Sequence, residues 1–202
     1  MAKVPHAGRV KTRLARGIGA VSAVRFYRSA LNATVLRLSQ TDQWQTVVAA
    51  APDSARPSDY PFGTSADVRL LPQGSGDLGA RLQRVFETEG AGPIVVIGSD
   101  IPGITRPLIA DAFAAVAGHD AVFGPSADGG FWLIGMRSGR RARKLFDGVR
   151  WSTEFALQDV RSALNVRSVA LISPLDDVDE RCSFRRLGSQ AVRIVPPMQT
   201  VA

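Results

Sequence analysis

The sequence contains little of what disulfide-linked, zinc-binding or membrane-spanning proteins are built from. Its 202 residues include one cysteine, Cys182, and two histidines. A single cysteine excludes an internal disulfide framework and fits a reducing compartment, so we expect a cytoplasmic protein. So few histidine and cysteine side chains argue against a structural zinc site. No apolar run approaches the ~20 residues that cross a bilayer, and no secretory signal is visible, so we expect no membrane partner.

Acidic residues are missing from the start of the chain, where the first carboxylate is Asp42. Residues 1–41 hold eight Lys and Arg residues, whereas the rest of the chain is near neutral, so this segment carries the net charge of +7. A basic segment of this kind is typical of an arm that binds nucleic acid. It is equally typical of an organelle transit peptide or of the lining of a pocket for a phosphorylated ligand.

Apolar residues recur at helical spacing from Ser22 to Leu38, and this pattern separates the three interpretations. It predicts a core-facing helix with Ser22 as its N-cap, which a cleaved presequence would not contain. Phe26 and Tyr27 fall on the apolar face, so they are not available to stack on bases. We therefore do not expect nucleic acid as a partner.

The remaining chain alternates between short apolar runs and amphipathic segments. We expect strands over 46–53, 68–73, 92–100, 120–125, 129–136 and 167–173, and helices over 77–90, 105–118, 153–165 and 179–190. Such alternation predicts one α/β domain, residues 1–190, with a mainly parallel sheet flanked by helices. A tail over 191–202 follows it. Ligands of such sheets bind at the carboxyl ends of the strands.

Carboxylates follow two of the predicted strands. Asp100 ends the clearest one, "IVVIGSD", where it could hold Mg²⁺ while phosphate oxygens complete the octahedron. The last strand is followed by three carboxylates, Asp176, Asp177 and Asp179. Like charges this close repel one another unless a cation compensates them or the loop is solvated. Asp128, in "SADGGF", is ordinary turn chemistry by spacing alone.

The basic loop Gly8–Arg13, "GRVKTR", has the composition of a phosphate cradle. Gly8 lets the backbone approach an anion, Lys11 and Arg13 neutralise phosphate oxygens, and Thr12 can hydrogen-bond. It is not a Walker A motif. A second glycine-rich loop, "QGSGDLGARL", offers Gly76 and Asp77, which could close around a base or ribose, or simply lead into the next helix.

Six ordered motifs give the chain a wider resemblance. "MAKVPHAGRVKTRLA", "GSGDLGARL", "VVIGSDIPGIT", "GPSADGGFWLIGM", "LFDGVRWST" and "LDDVD" together resemble the radical-SAM/selenodomain-associated transferases, relatives of the nucleotide-diphospho-sugar transferases with the GT-A fold. "Lys-Thr-Arg-Leu" is also similar to an element of 2-phospholactate guanylyltransferases. The resemblance implies nucleotide binding by Gly8, Arg9, Thr12, Gly76 and Asp77.

The resemblance also implies a metal, Mg²⁺ or Mn²⁺, held by Asp100 and Asp179, with Asp177 as a close competitor for the second position. Asp128, Gly129 and Gly130 would face the acceptor or the sugar, bordered by residues 151–153. Relatives carry an apolar strand directly before the "AK-x-P" element, whereas this chain starts at Met-Ala-Lys. We therefore expect the first strand to be missing. Either the sequence is truncated upstream of Met1, or the C-terminal segment "VRIV" occupies the position of that strand in the sheet.

These features predict a metal-dependent transferase that acts on a nucleotide and a small-molecule acceptor, with Lys11, Arg13 and Asp100 as catalytic residues. The first choice is nucleotidyl transfer, in which the phosphate of a small molecule attacks the α-phosphorus of a nucleoside triphosphate. Glycosyl transfer from a nucleotide-sugar is the close alternative. A nucleic-acid binder or an inactive homologue stays open, and the oligomeric state is not predicted.

Overall fold

The computed structural model describes residues 1–63, 68–90, 92–139, 144–164 and 168–179, together with Phe184. Strands and helices alternate along these residues. The strands are β1 (Ala2–Lys3), β2 (Val47–Ala51), β3 (Arg69–Pro72), β4 (Ile94–Ile97), β5 (Ala121–Pro125), β6 (Phe131–Met136) and β7 (Val169–Leu171). The helices are α1 (Thr12–Ile18), α2 (Ala20–Ser39), α3 (Leu78–Glu89), α4 (Arg106–Gly118) and α5 (Ala156–Ala163), and a 3₁₀ turn spans Pro57–Asp59.

The strands form two hydrogen-bonded groups that lie side by side. In the first group β1, β2 and β3 are parallel and in this order. The second has the order β4-β6-β5-β7, in which β6 is antiparallel to both neighbours and β5 is parallel to β7. The Met1 ammonium donates to the Ile97 carbonyl oxygen at 2.8 Å, so β1 lies beside β4. The predicted α/β fold with a mainly parallel sheet is confirmed.

Helices cover both faces of the sheet because successive strand residues point to opposite sides. In β5, Ala121 and Phe123 join a core cluster with α3 and α5, whereas Val122 between them packs against α4. A third cluster packs α2 against β1 and β2. The carboxyl ends of β1, β3 and β4 remain uncovered, and this is where the sequence places its basic loop and Asp100.

The first strand, expected to be missing, is present in a short form. Ala2 pairs with Ala50 and Lys3 with Ala51, and the Val4 N–H donates to the Ala51 carbonyl at 2.8 Å. Ala2 and Val4 are both buried and pack in the core cluster that also contains β2 and α2 side chains. The alternative segment "VRIV" lies outside the described residues.

Two helix starts differ from the prediction near the N-terminus. Residues 12–18, for which the sequence pattern predicts no helix, form α1, and Gly17 lies inside it. Gly19 ends α1 by donating its N–H to the Ala15 carbonyl at 2.9 Å and is also the N-cap of α2. The predicted N-cap Ser22 is therefore wrong, because α2 has already begun at Ala20.

Helix α5 is shorter than the sequence predicts. α5 begins at Ala156 rather than near Thr153, because the Thr153 hydroxyl donates to the Arg150 carbonyl and accepts from the Phe155 N–H in a preceding turn. The predicted helix over 179–190 and the tail over 191–202 lie outside the described residues, apart from Asp179 and Phe184. Among the helices of the described part, none has the length and apolar character to cross a membrane.

Candidate functional site

A cleft of about 610 Å³ opens at the carboxyl ends of β1, β3 and β4. It is the position that parallel α/β sheets offer to ligands. The sequence-predicted residues that line it are Arg9, Lys11, Thr12, Arg13, Gly76, Asp77, Asp100 and Asp179. Gly8, Asp128, Gly129 and Gly130, also predicted as binding residues, are not among its lining residues.

The basic loop leaves β1 and turns directly into α1. Val10 is buried and anchors the loop, so the side chains on either side of it are held at the cleft. Lys11 adopts a left-handed backbone conformation, with φ 47° and ψ 46°. This conformation costs a residue with a β-carbon about 1–2 kcal/mol, which indicates that other contacts hold Lys11 in place.

Those contacts are ion pairs to three carboxylates. The Lys11 Nζ lies 2.7 Å from Asp100 Oδ2, 2.6 Å from Asp179 Oδ1 and 3.5 Å from Asp177 Oδ2. The Lys11 side chain is 2% exposed, whereas the carboxylates are 28–40% exposed, and those of Asp100 and Asp179 line the cleft. A simple phosphate cradle would place Lys11 across the cleft from Asp100. In the structure, Lys11 instead contacts Asp100 directly.

The three aspartates, which we call the acidic triad (Asp100, Asp177 and Asp179), come from two places in the chain. Asp100 follows β4, and the other two follow β7. One oxygen from each lies within 4.8 Å of the others. Oxygen ligands of this kind suit a hard divalent cation such as Mg²⁺ or Mn²⁺, so the donor set fits the predicted metal. Asp176 is turned away, and its Oδ1 accepts from the Ala127 N–H at 2.9 Å.

Burial and neighbouring charges perturb the ionisation of the site. Burial lowers the pKa of Lys11, but the carboxylates of Asp100, Asp179 and Asp177 outweigh it and raise the pKa overall. Burial, reinforced by the negative charges of Asp179 and Asp100 and opposed by Lys11, raises the pKa of Asp177 to about 6. Lys11 is therefore a fixed cation at neutral pH, and Asp177 holds a proton more readily than an ordinary aspartate does.

The raised pKa of Asp177 predicts a pH dependence of stability. The group binds its proton more tightly in the folded protein than in the unfolded one, where its pKa is about 4. This tighter proton binding stabilises the folded protein. The stabilisation is fully present below pH ~4 and is lost as the pH rises through about 6. We expect Asp177→Asn to gain stability relative to wild type across this interval, as measured by urea unfolding at several pH values. A constant difference would contradict the assignment.

Tyr27 of α2 joins the two strands that carry the site. Its hydroxyl lies 3.0 Å from the Lys3 N, 3.1 Å from the Lys3 O and 3.2 Å from the Ser99 Oγ. It thereby connects the end of β1 to Ser99, the residue before Asp100. The helical periodicity predicted that Tyr27 is buried, but nothing in the sequence indicated which polar groups its hydroxyl would reach.

Gln73 is a second buried polar residue that sequence reasoning missed. Its side-chain amide donates to the carbonyls of Ala2 and Ala49 at 3.1 and 2.7 Å, and so holds the loop after β3 against β1 and β2. The loop then reaches Gly76 and Asp77 at the cleft. The Asp77 Oδ1 accepts from the Ala80 N–H at 2.8 Å, so Asp77 caps α3 whatever else it contacts.

The Asp128–Gly130 turn lies between β5 and β6. The Asp128 Oδ1 accepts from the Gly130 N–H at 2.9 Å, and Gly129 packs directly against the backbone of Glu154. Trp151 packs against Phe131, which does line the cleft, with ring centroids 6.3 Å apart. Trp151 is thus next to the cleft's wall, and the acceptor-side role of the Asp128–Gly130 turn stays a prediction.

Residues 34–153 match the family described as "Uncharacterized protein conserved in bacteria (DUF2064)". The chain belongs to the DUF2064 family. The matched segment of this DUF2064 protein contains Asp100, the Gly76–Asp77 loop and the Asp128–Gly130 turn, while the basic loop and the remaining two aspartates of the triad lie outside it. No curated protein matches the chain.

Solved structures are similar to this DUF2064 protein over 82–96% of its chain. It is similar to the "putative nucleotide-diphospho-sugar transferase" from Desulfovibrio desulfuricans G20, with a TM-score of 0.86 and 26% identity over 96% of this chain and 86% of the other. The 2-C-methyl-D-erythritol 4-phosphate cytidylyltransferase from Thermus thermophilus has a TM-score of 0.55 and 16% identity over 94% and 97%.

A third similar structure is the homolog of Mycobacterium tuberculosis rv0371c from mycobacterium sp. strain JC1, with a TM-score of 0.56 and 19% identity over 82% and 84% of the two chains. At 16–19% identity, this structure and the cytidylyltransferase show a shared fold only. Together the comparisons show that the chain has the α/β fold of the Desulfovibrio structure, with a parallel sheet flanked by helices.

Proposed function

We propose that this protein is a divalent-cation-dependent transferase that acts on a nucleotide bound in the cleft. The observation that carries the proposal is the meeting of the acidic triad with the basic loop at one sheet edge. Arg9 and Arg13 are exposed there, and the Arg13 Nη1 lies 3.7 Å from the Asp179 Oδ2. Cationic side chains beside a cation-binding carboxylate set are what a di- or triphosphate requires.

Each part of the cleft has a task in this proposal. Arg9, Thr12 and Arg13 contact the phosphate oxygens and stabilise the charge that develops on them. Gly76 and Asp77 line the same cleft and would contact the base or ribose. The acidic triad would hold Mg²⁺ or Mn²⁺, which when bound supplies Lewis-acid stabilisation of phosphate charge.

Nucleotidyl transfer is our first choice of reaction. A phosphate oxygen of a small-molecule acceptor attacks the α-phosphorus of a nucleoside triphosphate, the bond to the bridging oxygen breaks, and pyrophosphate leaves. The chain supplies no covalent nucleophile in this scheme; its residues hold the two reactants in line and neutralise the leaving group. The likeness of Lys11–Leu14 to an element of 2-phospholactate guanylyltransferases supports this choice of reaction. The resemblance to the radical-SAM/selenodomain-associated transferases supports a transferase in general, without favouring either reaction.

Glycosyl transfer is the second candidate, because the structure that is 26% identical to this chain is described as a "putative nucleotide-diphospho-sugar transferase". In that reaction an acceptor attacks the anomeric carbon and the nucleoside diphosphate leaves. The same basic side chains would then stabilise the departing diphosphate.

Product analysis separates the two reactions. The protein is incubated with Mg²⁺ and a deproteinised extract of small molecules as the source of acceptor. One arm contains nucleoside triphosphates labelled at the α-phosphorus, and the other contains nucleotide-sugars labelled in the sugar. Nucleotidyl transfer moves the first label into a new product with release of pyrophosphate, whereas glycosyl transfer moves the second. A label that stays in its donor in both arms would contradict the proposal.

A further inference from the structure

We infer that Lys11 is the resident cation of the acidic triad, that a divalent cation displaces it, and that the displaced ammonium then binds the phosphates of the ligand. The inference rests on the proposed function and adds to it how the site is switched. Lys11 would be a carboxylate partner in the ligand-free protein and a phosphate partner in the loaded one.

The first observation is that Lys11 uses the same oxygens that a metal would need. Its Nζ lies 2.7 Å from Asp100 Oδ2 and 2.6 Å from Asp179 Oδ1, with Asp177 Oδ2 at 3.5 Å. A divalent cation that binds carboxylates does so at about 2.0–2.6 Å from their oxygens. Two cations cannot share this volume, so the ammonium and the metal exclude each other.

The second observation is the balance of charge. Three carboxylates converge on one ammonium, and the Arg13 guanidinium is 3.7 Å from only one of them and 65% exposed. The triad therefore keeps an excess of negative charge that a divalent ion compensates better than Lys11 does. In the ligand-free protein the ammonium still prevents repulsion among the carboxylates.

The third observation is where Lys11 can go. Its side chain is 2% exposed, and an ammonium left there without an anionic partner is costly. Lys11 lies between Val10 and Thr12 in the loop whose neighbours Arg9 and Arg13 face the cleft. Its flexible four-carbon stem can swing to a phosphate in that cleft, which would replace the lost carboxylates. Metal and phosphate ligand should therefore bind cooperatively, each favouring the state that the other needs.

Chemical labelling of wild-type protein tests the displacement directly, because the chain has three lysines, Lys3, Lys11 and Lys144. The full chain is treated briefly with an amine-acylating reagent, with and without Mg²⁺, and each lysine is quantified by peptide mass spectrometry. We expect Lys11 to be protected without Mg²⁺ and its labelling to rise several-fold with it. Lys144 is exposed and is not among the residues that line the cleft, so it serves as the internal control that should not change. Unchanged labelling of Lys11 across the Mg²⁺ titration would overturn the inference.

A calorimetric titration with Mn²⁺ gives an independent readout. Lys11→Met removes the competing ammonium, so Mn²⁺ should bind about tenfold more tightly than to wild type. Arg16→Met is the matched control, since it removes one exposed positive charge from α1 outside the triad and should change the affinity little. Equal or weaker binding by Lys11→Met would overturn the inference. If that variant does not fold, the labelling of wild type decides.

The two proposals fail in different ways. If Mg²⁺ releases Lys11 but no nucleotide binds, the exchange stands and the transferase proposal fails. If a nucleotide binds with Mg²⁺ while Lys11 labelling stays constant, the transferase proposal stands and the exchange fails.

Discussion

Replacing Asp100 with Asn should lower the rate of the proposed transfer by about 10²–10³-fold. Asp100 is the triad member that follows β4, and its Oδ2 makes one of the two shortest contacts of the Lys11 ammonium. Asn keeps the size of the side chain but removes one negative charge from a set of three. The metal would then be held by two carboxylates, and the affinity for Mg²⁺ should fall together with the rate.

Initial rates and Mg²⁺ titrations on purified Asp100→Asn protein would measure this effect. Asp176→Asn is the matched control, because Asp176 lies in the same acidic segment as Asp177 but uses its Oδ1 to accept the Ala127 N–H at 2.9 Å, a bond that Asn can also accept. The control should stay close to wild type. An Asp100→Asn protein that is folded, binds Mg²⁺ normally and turns over at the wild-type rate would contradict the assignment of Asp100.

Replacing Gly129 with Ala should destabilise the fold by about 2–5 kcal/mol. Gly129 has φ 80°, a conformation that disfavours any β-carbon. A β-carbon there would also overlap the carbonyl oxygen of Glu154 and lie 2.5 Å from its Cα, so backbone would have to move. The segment that would shift is the one that carries Trp151 against Phe131 at the cleft wall.

Gly148→Ala separates the two causes of this loss. Gly148 has a similar φ of 74°, but a β-carbon there would have no neighbour within 4 Å. It should therefore cost only the backbone term of about 1–2 kcal/mol. Urea unfolding of both variants measures the difference. Equal losses for the two would show that the approach of Gly129 to Glu154 does not constrain the fold.

The layered fold could be predicted from the sequence because its strands and helices have clear periodicity. The buried run before Asp100 and the helix after Gly76–Asp77 formed where the pattern placed them. Helix α1 was missed because Gly17 and Gly19, which suggest flexibility, lie inside and at the end of it. A two-residue strand such as β1 has too few residues to show any period.

The sequence predicted which residues of the candidate site carry charge, but not which of them contact one another. Position after a strand identified Asp100, and the local charge density identified the acidic segment with Asp177 and Asp179. Lys11 is 166 positions from Asp177 and 168 positions from Asp179 in the sequence. No local sequence pattern predicts a contact between residues so far apart. The hydroxyl partners of Tyr27 and the amide partners of Gln73 were hidden for the same reason, since periodicity reports burial and not hydrogen bonding.

Calorimetric titration of the wild-type chain with a panel of nucleoside triphosphates and nucleotide-sugars, each with Mg²⁺ and with chelator, tests the central claim most directly. The claim is that phosphates and a divalent cation meet between the basic loop and the acidic triad. At least one nucleotide should bind with Mg²⁺ and lose most of its affinity with chelator. Equal affinity under both conditions, or no binding of any nucleotide, would contradict the account.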